Sequence, residues 1–338
     1  MQKNQKSKVY YYSLFILSFL LTACNNTPTE VKMQGYAQGT TYHITYIGHS
    51  VSLQTQLDSL LMAIDLSMST YKPNSTISKF NQSDSGVVVD PLFAEVYKKS
   101  IVIYRQTNGL FDPTVAPLVN AWGFGKDTIA INDSLIIDSM LHWIGLDKTE
   151  LKENLFLRKE TPGIQLDFNA IAQGYSVDLI ADYLEKNNIT NYMVEIGGEI
   201  KTKGKNANGE DWKIGIDKPI ENSNKRELST VISLTDKAMA TSGNYRKFYI
   251  KNGKKYSHTI NPITGHPAEN SLLSVTVVTN TCIDADAYAT AFMVMGLEKT
   301  LAFLEKEKNI RVYIIYTTSG GEIAEFISDE LKNTIQNK

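Results

Sequence analysis

The 338-residue sequence predicts an α+β fold, antiparallel sheets with segregated helices. Three observations lead there. Apolar residues at helical spacing are concentrated before residue 190. Beyond Thr190 the pattern turns to short β-branched and aromatic runs separated by Gly and Asn clusters. No Gly-x-Gly-x-x-Gly turn between a strand and a helix marks a doubly wound nucleotide fold.

In chain order, 36–47 alternates around β-branched and aromatic residues and predicts a strand pair or one long strand. Leu53, Leu57, Leu60, Leu61 and Ile64 make 51–68 a helix, with Ser50 or Ser52 available as its cap. A second helix spans 90–108, with Asp90 as cap, Pro91 at the first helical position and Gly109 past the last turn. Prolines 113 and 117 make 110–125 a rigid irregular loop, and its Phe111, Trp122 and Phe124 either line a planar ligand or pin the loop to the core. Shorter helices are expected at 134–143 and 174–187. The strands expected after them are 192–202, 212–217, 229–234, 245–250, 255–260 and 273–278. A late helix at 284–295 precedes a strand at 311–317.

Lys and Arg total 34 against 36 Asp and Glu, so no global field attracts phosphate backbones and no nucleic-acid partner is expected. The first residues carry another message. Lys3, Lys6 and Lys8 precede an apolar run too short to span a bilayer, and Leu21-Thr22-Ala23-Cys24 ends it as a small-residue cleavage site. That string resembles a bacterial lipobox. It implies a signal peptide at 1–23, a lipidated tether at 24–35 beginning with acylated Cys24, and a folded domain at 36–330. The expectation is an exported lipoprotein, anchored to a bacterial membrane and facing the periplasm. With Cys24 lipidated, Cys282 has no partner for an intramolecular disulfide.

Phosphate loops, nucleophile elbows and paired zinc cysteines are absent from the sequence. Three further segments combine residue types suited to chemistry. At 166–175 an apolar run breaks into Asn169, Ala170, Ala172 and Gly174, opening a helix whose backbone donors can meet an anion; Asp167 reads equally well as its cap. His258 sits where a strand enters the Asn261-Pro262-x-Thr264-Gly265 turn, a place that suits a structural His as well as a catalytic one. On the late helix Asp286 and Thr290 are four apart and share a face, offering hard oxygen ligands of the kind Mg²⁺ takes. The plainer reading has Asp284 capping that helix and Asp286 favouring its positive end.

Together with Gly39-Thr40-Thr41-Tyr42, Ser69-Thr70-Tyr71-Lys72-Pro73, Glu195-Ile196-Gly197-Gly198-Glu199 and Ala240-Thr241-Ser242-Gly243-Asn244, these strings resemble the ApbE family of FAD:protein FMN transferases. The resemblance runs in order along nearly the whole mature chain. It implies an enzyme that splits FAD at its pyrophosphate and attaches FMN through a phosphoester to a Thr or Ser hydroxyl of a target protein. Typical targets are flavin-carrying subunits of membrane redox complexes. It further implies that the Ala170 carbonyl with Asp286 and Thr290 binds Mg²⁺. FAD as substrate would be contacted by Gln38, Tyr71, Leu110, Phe111, Asp112, Asp167, Gln173 and Ile260, with His258 near the reacting phosphate. Such chemistry needs a base for the attacking hydroxyl: His258 is the first candidate, because imidazole exchanges protons near neutral pH, and Asp284 is the second. Gln38, Gln173 and Asn261 depart from the family's commoner Met, Lys or Glu, and Asp. The same geometry also serves a Mg²⁺-dependent FAD pyrophosphatase giving FMN and AMP, and a non-enzymatic FAD-binding lipoprotein is the third reading.

Overall fold

The computed structural model describes residues 29–48, 53–125, 133–220, 227–245, 248–251 and 254–336. The signal peptide, Cys24, Ser50, Ser52 and the Asn252-Gly253 pair, one of the Gly and Asn clusters expected between strands, lie outside the described residues. Strands β1 (Thr29–Ala37) and β2 (Thr40–Gly48) form a hairpin closed by Gln38 and Gly39, at φ +52° and +76°. Two left-handed residues give the turn whose twist matches that of the strands. The tether boundary is thereby corrected, since from Thr29 onward the segment expected as tether is strand, held by its ladder to β2.

Helices α1 (Gln54–Met68), α2 (Thr76–Gln82) and α3 (Pro91–Gln106) follow, with the short strand β3 (Gly86–Val88) before α3. Asp90 caps α3 as expected, accepting from the Phe93 N–H at 3.0 Å, and Pro91 occupies the first turn. The predicted loop at 110–125 is corrected: Pro113–Val115 is a 3-10 turn and Ala116–Ala121 is helix α4. Both prolines sit in first-turn positions, where no intrahelical N–H is needed. Trp122 pins this segment to the core, donating to the Gly265 carbonyl at 2.8 Å and stacking on Tyr256.

Helix α5 (Ser134–Met140) and strands β4 (Thr149–Leu151) and β5 (Phe156–Lys159) lead to helix α6 (Ala172–Lys186). The expected strand at 192–202 is a hairpin, β6 (Tyr192–Ile196) and β7 (Glu199–Lys203), turned by Gly197 and Gly198 at positive φ. Strands β8 (Trp212–Asp217) and β9 (Leu228–Leu234) pair with each other, as do β11 (Phe248–Lys251) and β12 (Lys254–Ser257). Strand β10 (Ala238–Gly243), which periodicity does not reveal, lies between these two pairs in the chain, with β13 (Leu272–Thr279) beyond them. Helices α7 (Cys282–Met295) and α8 (Leu297–Leu304), strands β14 (Arg311–Thr317) and β15 (Ile323–Ile327), and helix α9 (Asp329–Lys332) complete the order.

Eight strands form one antiparallel sheet in the order β1-β2-β6-β7-β10-β13-β14-β15. Its two halves meet at a narrow seam, because β7 and β10 pair only through Lys201 with Ala238 and Ile200 with Met239. Helix α6 covers β6 and β7, α7 covers β10 and β13, and the two helices pack on each other across the seam. Cys282, fully buried at the start of α7, directs its Sγ at the carbonyls of Ile200 and Met239, the seam pair itself. A Cβ on Gly174 would lie 2.3 Å from the Cys282 carbonyl oxygen, so only glycine permits this approach of the helices. The largest core cluster joins Phe93, Phe168, Val275 and Phe292 beneath α7, and a second joins Tyr42, Leu57, Ile180 and Val194 beneath α6.

Candidate active site

The segment entering α6 is irregular but held at several points. The Asn81 side chain bridges both backbone groups of Leu166, donating to its carbonyl at 2.9 Å and accepting from its N–H at 2.7 Å. The Asp167 N–H then bonds the Pro113 carbonyl at 2.8 Å, and its carboxylate accepts from the Asn169 N–H at 2.7 Å. Asp167 therefore closes a local turn, and Ala170 is left in the bend just before α6. Across from it, Asp112 accepts from both the N–H and the hydroxyl of Thr114, at 2.8 and 2.6 Å. Burial pushes the Asp112 carboxyl up to about 6, against the pull of these Thr114 donors.

Helices α6 and α7 both lack a local side-chain cap. Each is capped by the other. Asp286 Oδ2, on α7, accepts the Gly174 N–H at the start of α6 at 3.0 Å, and Asp178 Oδ2, on α6, accepts the Ile283 N–H at the start of α7 at 2.9 Å. Asp286 is buried, and desolvation pushes its carboxyl up to about 7 although the Gly174 N–H lowers it. Among the described residues no Lys or Arg pairs with it.

A cavity of about 290 Å³ opens at this junction. Of the residues expected from the sequence, His258, Tyr71, Leu110, Phe111, Asp112, Asp167, Gln173, Ile260, Ala170, Asp286 and Thr290 all line it. Gln38 lines an adjoining cavity of about 540 Å³ that shares Tyr71, Asn169 and Gln173 with the first, and its amide donates to the Ser176 hydroxyl. Asp284 is elsewhere. Its carboxylate accepts from Lys99 at 2.8 Å and from the Thr281 hydroxyl at 2.5 Å, and it lines none of these cavities. It is neither the helix cap, a place Thr281 holds, nor within the chamber that contains His258.

Phe111 and Phe124 line the cavity while Trp122 does not, so the aromatic segment both binds the core and walls the chamber. Phe124 meets the His258 ring edge-on, with centroids 6.4 Å apart. Sequence reasoning assigned no role to Glu199 or Ser242, which also line the chamber. Ser242 lies 3.1 Å from the Thr290 hydroxyl. The pointers to both were the Gly197-Gly198 turn, which starts β7 at Glu199, and the Ala240-Thr241-Ser242-Gly243 string of β10.

Among the described residues no group of three His, Cys, Asp or Glu forms a metal cluster. The buried Asp286 carboxylate, beside the Thr290 hydroxyl and the approachable Ala170 bend carbonyl, nevertheless fits a hard divalent cation better than it fits an apolar ligand. One Asp286 oxygen is committed to Gly174, which leaves the other for a ligand.

The fold and chamber define an α+β protein with an acid-lined pocket, walled in part by Phe111 and Phe124, at the junction of two helices. The chain belongs to the ApbE family, whose sequence profile matches residues 38–314. It is 39% identical over 324 residues to the FAD:protein FMN transferase of Vibrio cholerae, covering 93% of this chain and 95% of that protein. Identity to the Haemophilus influenzae FAD:protein FMN transferase is 37% over 319 residues, covering 90% and 92% respectively. Among solved structures, the flavin transferase ApbE from Vibrio cholerae superposes with a TM-score of 0.81 at 38% identity, covering 91% of this chain and 99% of that one. The apo form of the Pseudomonas stutzeri flavinyl transferase ApbE gives the same TM-score, 0.81, at 28% identity, covering 91% and 97%.

Proposed function

We propose that the chain transfers the FMN half of FAD to a Thr or Ser hydroxyl of a target flavoprotein, forming a phosphoester and releasing AMP. The observation that carries this reading is the convergence of Ala170, Asp286, Thr290 and His258, from separate parts of the chain, on one chamber. The hydroxyl oxygen of the target forms a bond to the FMN phosphorus, the bond from that phosphorus to the bridging oxygen breaks, and AMP departs with that oxygen. His258 takes the hydroxyl proton. Phe111, Phe124 and Ile260 exclude water from the chamber and hold planar rings by their faces.

Asp286, Thr290 and the Ala170 carbonyl would hold Mg²⁺, which when bound neutralises pyrophosphate charge that the chain's own residues leave uncompensated. Asp284, paired with Lys99, takes no part in proton transfer. The Leu21-Thr22-Ala23-Cys24 string supports a lipid anchor on Cys24 in a bacterial membrane, with the domain facing the periplasm and flavin-carrying subunits of membrane redox complexes as targets. No described helix is long and apolar enough to cross a membrane.

The test is to incubate the full chain in detergent with FAD, Mg²⁺ and a flavin-carrier domain, reading in-gel flavin fluorescence and intact mass. A carrier heavier by one FMN, absent with EDTA and with His258→Ala, is the expected result. Free FMN and AMP with unmodified carriers across several candidates would replace transfer by hydrolysis. Unchanged transfer by His258→Ala would remove His258 as the base.

A further inference from the structure

The reciprocal capping of α6 and α7 points to a residue outside the chamber that governs it. We infer that Asp178 is a positioning residue: by holding the Ile283 N–H it sets how far α7 is advanced along α6, and hence where Asp286 and Thr290 stand relative to Ala170. The inference rests on the metal reading of the site given above.

Two independent tethers fix the slide of these helices. One ends on a residue of the chamber wall, between Gly174 and Asp286 at 3.0 Å. The other lies outside it, between Asp178 and Ile283 at 2.9 Å. Asp178 lines none of the cavities around the site, so it touches neither ligand nor reacting atoms. Its second oxygen receives the Lys201 ammonium from β7 at 2.8 Å, and both side chains are largely buried. Lys201 itself belongs to the seam, paired with Ala238 of β10. The carboxylate thus ties α6, the start of α7 and the seam strand together at one point.

Geometry makes the coupling short. Ala170 precedes α6 by two residues, and Asp286 follows Ile283 by three, within one helical turn. A slip of α7 therefore carries Asp286 and Thr290 directly, with little backbone between to absorb it. Without Asp178 the Ile283 N–H, which no side chain of α7 caps, would seek another acceptor by moving.

The test measures metal binding, not turnover: Mn²⁺ alone is titrated into the full chain in detergent, with free Mn²⁺ read by electron paramagnetic resonance and Mg²⁺ added as competitor. Asp178→Ala is expected to weaken Mn²⁺ binding about tenfold or more, the range seen when partners that orient metal ligands are lost. Asp178→Asn combined with Lys201→Met keeps an acceptor for Ile283 and removes the buried charge pair, and is expected to bind within about threefold of wild type, as rescue by a retained hydrogen bond requires. Should Asp178→Ala fail to fold, Asp178→Glu serves: it keeps the charge but lengthens the tether by one methylene, and about fivefold weaker binding is expected from the displaced helix.

Wild-type affinity in Asp178→Ala or in Asp178→Glu, whatever the melting temperature does, overturns the inference. So does a double variant that loses as much as Asp178→Ala. A wild-type chain that takes up no Mn²⁺ overturns the metal reading itself, whereas wild-type uptake with an insensitive Asp178 series overturns this inference alone.

Discussion

The backbone N–H of Gly174 donates to Oδ2 of Asp286 at 3.0 Å, and a Cβ at Gly174 would come within 2.8 Å of the Asp286 Cβ. This contact joins the mouth of α6 to the second turn of α7. Gly174→Ala is predicted to cost about 1–3 kcal/mol despite alanine's better helix propensity, because the added methyl forces two packed helices apart. Urea unfolding of the two proteins checks it; a variant as stable as wild type would mean that the helices yield without cost.

Asp286→Asn separates stability from activity. An amide keeps an oxygen for the Gly174 N–H but carries no charge in a site whose burial pushes the carboxyl up to about 7. At pH 8 the variant should gain on the order of 2 kcal/mol in unfolding free energy and lose FMN transfer. Denaturation and carrier flavinylation, run on the same preparation without added metal for the first, give both readings.

Asp112 should make stability depend on pH in a definite direction. Its carboxyl stands at about 6 in the folded chain, against about 3.8 for the ordinary group, so the folded state holds the proton more tightly. The stabilisation is fully present below about pH 3.8 and is lost as pH rises through about 6. Between pH 4 and 7 the difference in unfolding free energy between wild type and Asp112→Asn should fall by about 2–3 kcal/mol. A difference that stays flat would place the proton elsewhere.

Lys159, the last residue of β5, is buried, and its ammonium donates to the carbonyls of Phe80, Pro162 and Ile164 at 3.0, 3.1 and 2.9 Å. Burial pushes the amine down to about 8, but three donors meeting three carbonyls keep it in place. Lys159→Met removes the ammonium donor from the Pro162 and Ile164 carbonyls, while the Phe80 carbonyl keeps Ser83 as donor, and is predicted to cost about 3 kcal/mol, with Mn²⁺ binding by the folded fraction unchanged. Chemical unfolding and Mn²⁺ titration check the two halves of the statement.

Much of the site was legible because its parts are short strings with local reasons. Asp90 with Pro91 announces α3, since cap and first-turn preferences act within three residues. Asp286 and Thr290 share a helix face by spacing alone. The prolines at 113 and 117 misled, because a proline inside a short helix looks like one in a loop unless the helix start is known. Strand β10 escapes because Ala238, Ala240, Ser242 and Gly243 carry little strand preference and the strand is held by neighbours on both sides. Asp284 is a candidate base by its place on the same helix as Asp286 and Thr290, and only the packing of α3 shows that Lys99 occupies it.

The sequence by itself determined the α+β class, the positions of most helices and hairpins, and the residue types of the chamber, because periodicity, capping and turn chemistry operate over a few residues. The tertiary structure alone decided the seam between β7 and β10, the mutual capping of α6 and α7, and that Asp286 lines the chamber while Asp284 does not. Gly174 and Asp286 are 112 residues apart, and Asp178 and Ile283 are 105 apart. Contacts of that span depend on how two buried helices dock, a balance of packing and desolvation that leaves no period in the chain.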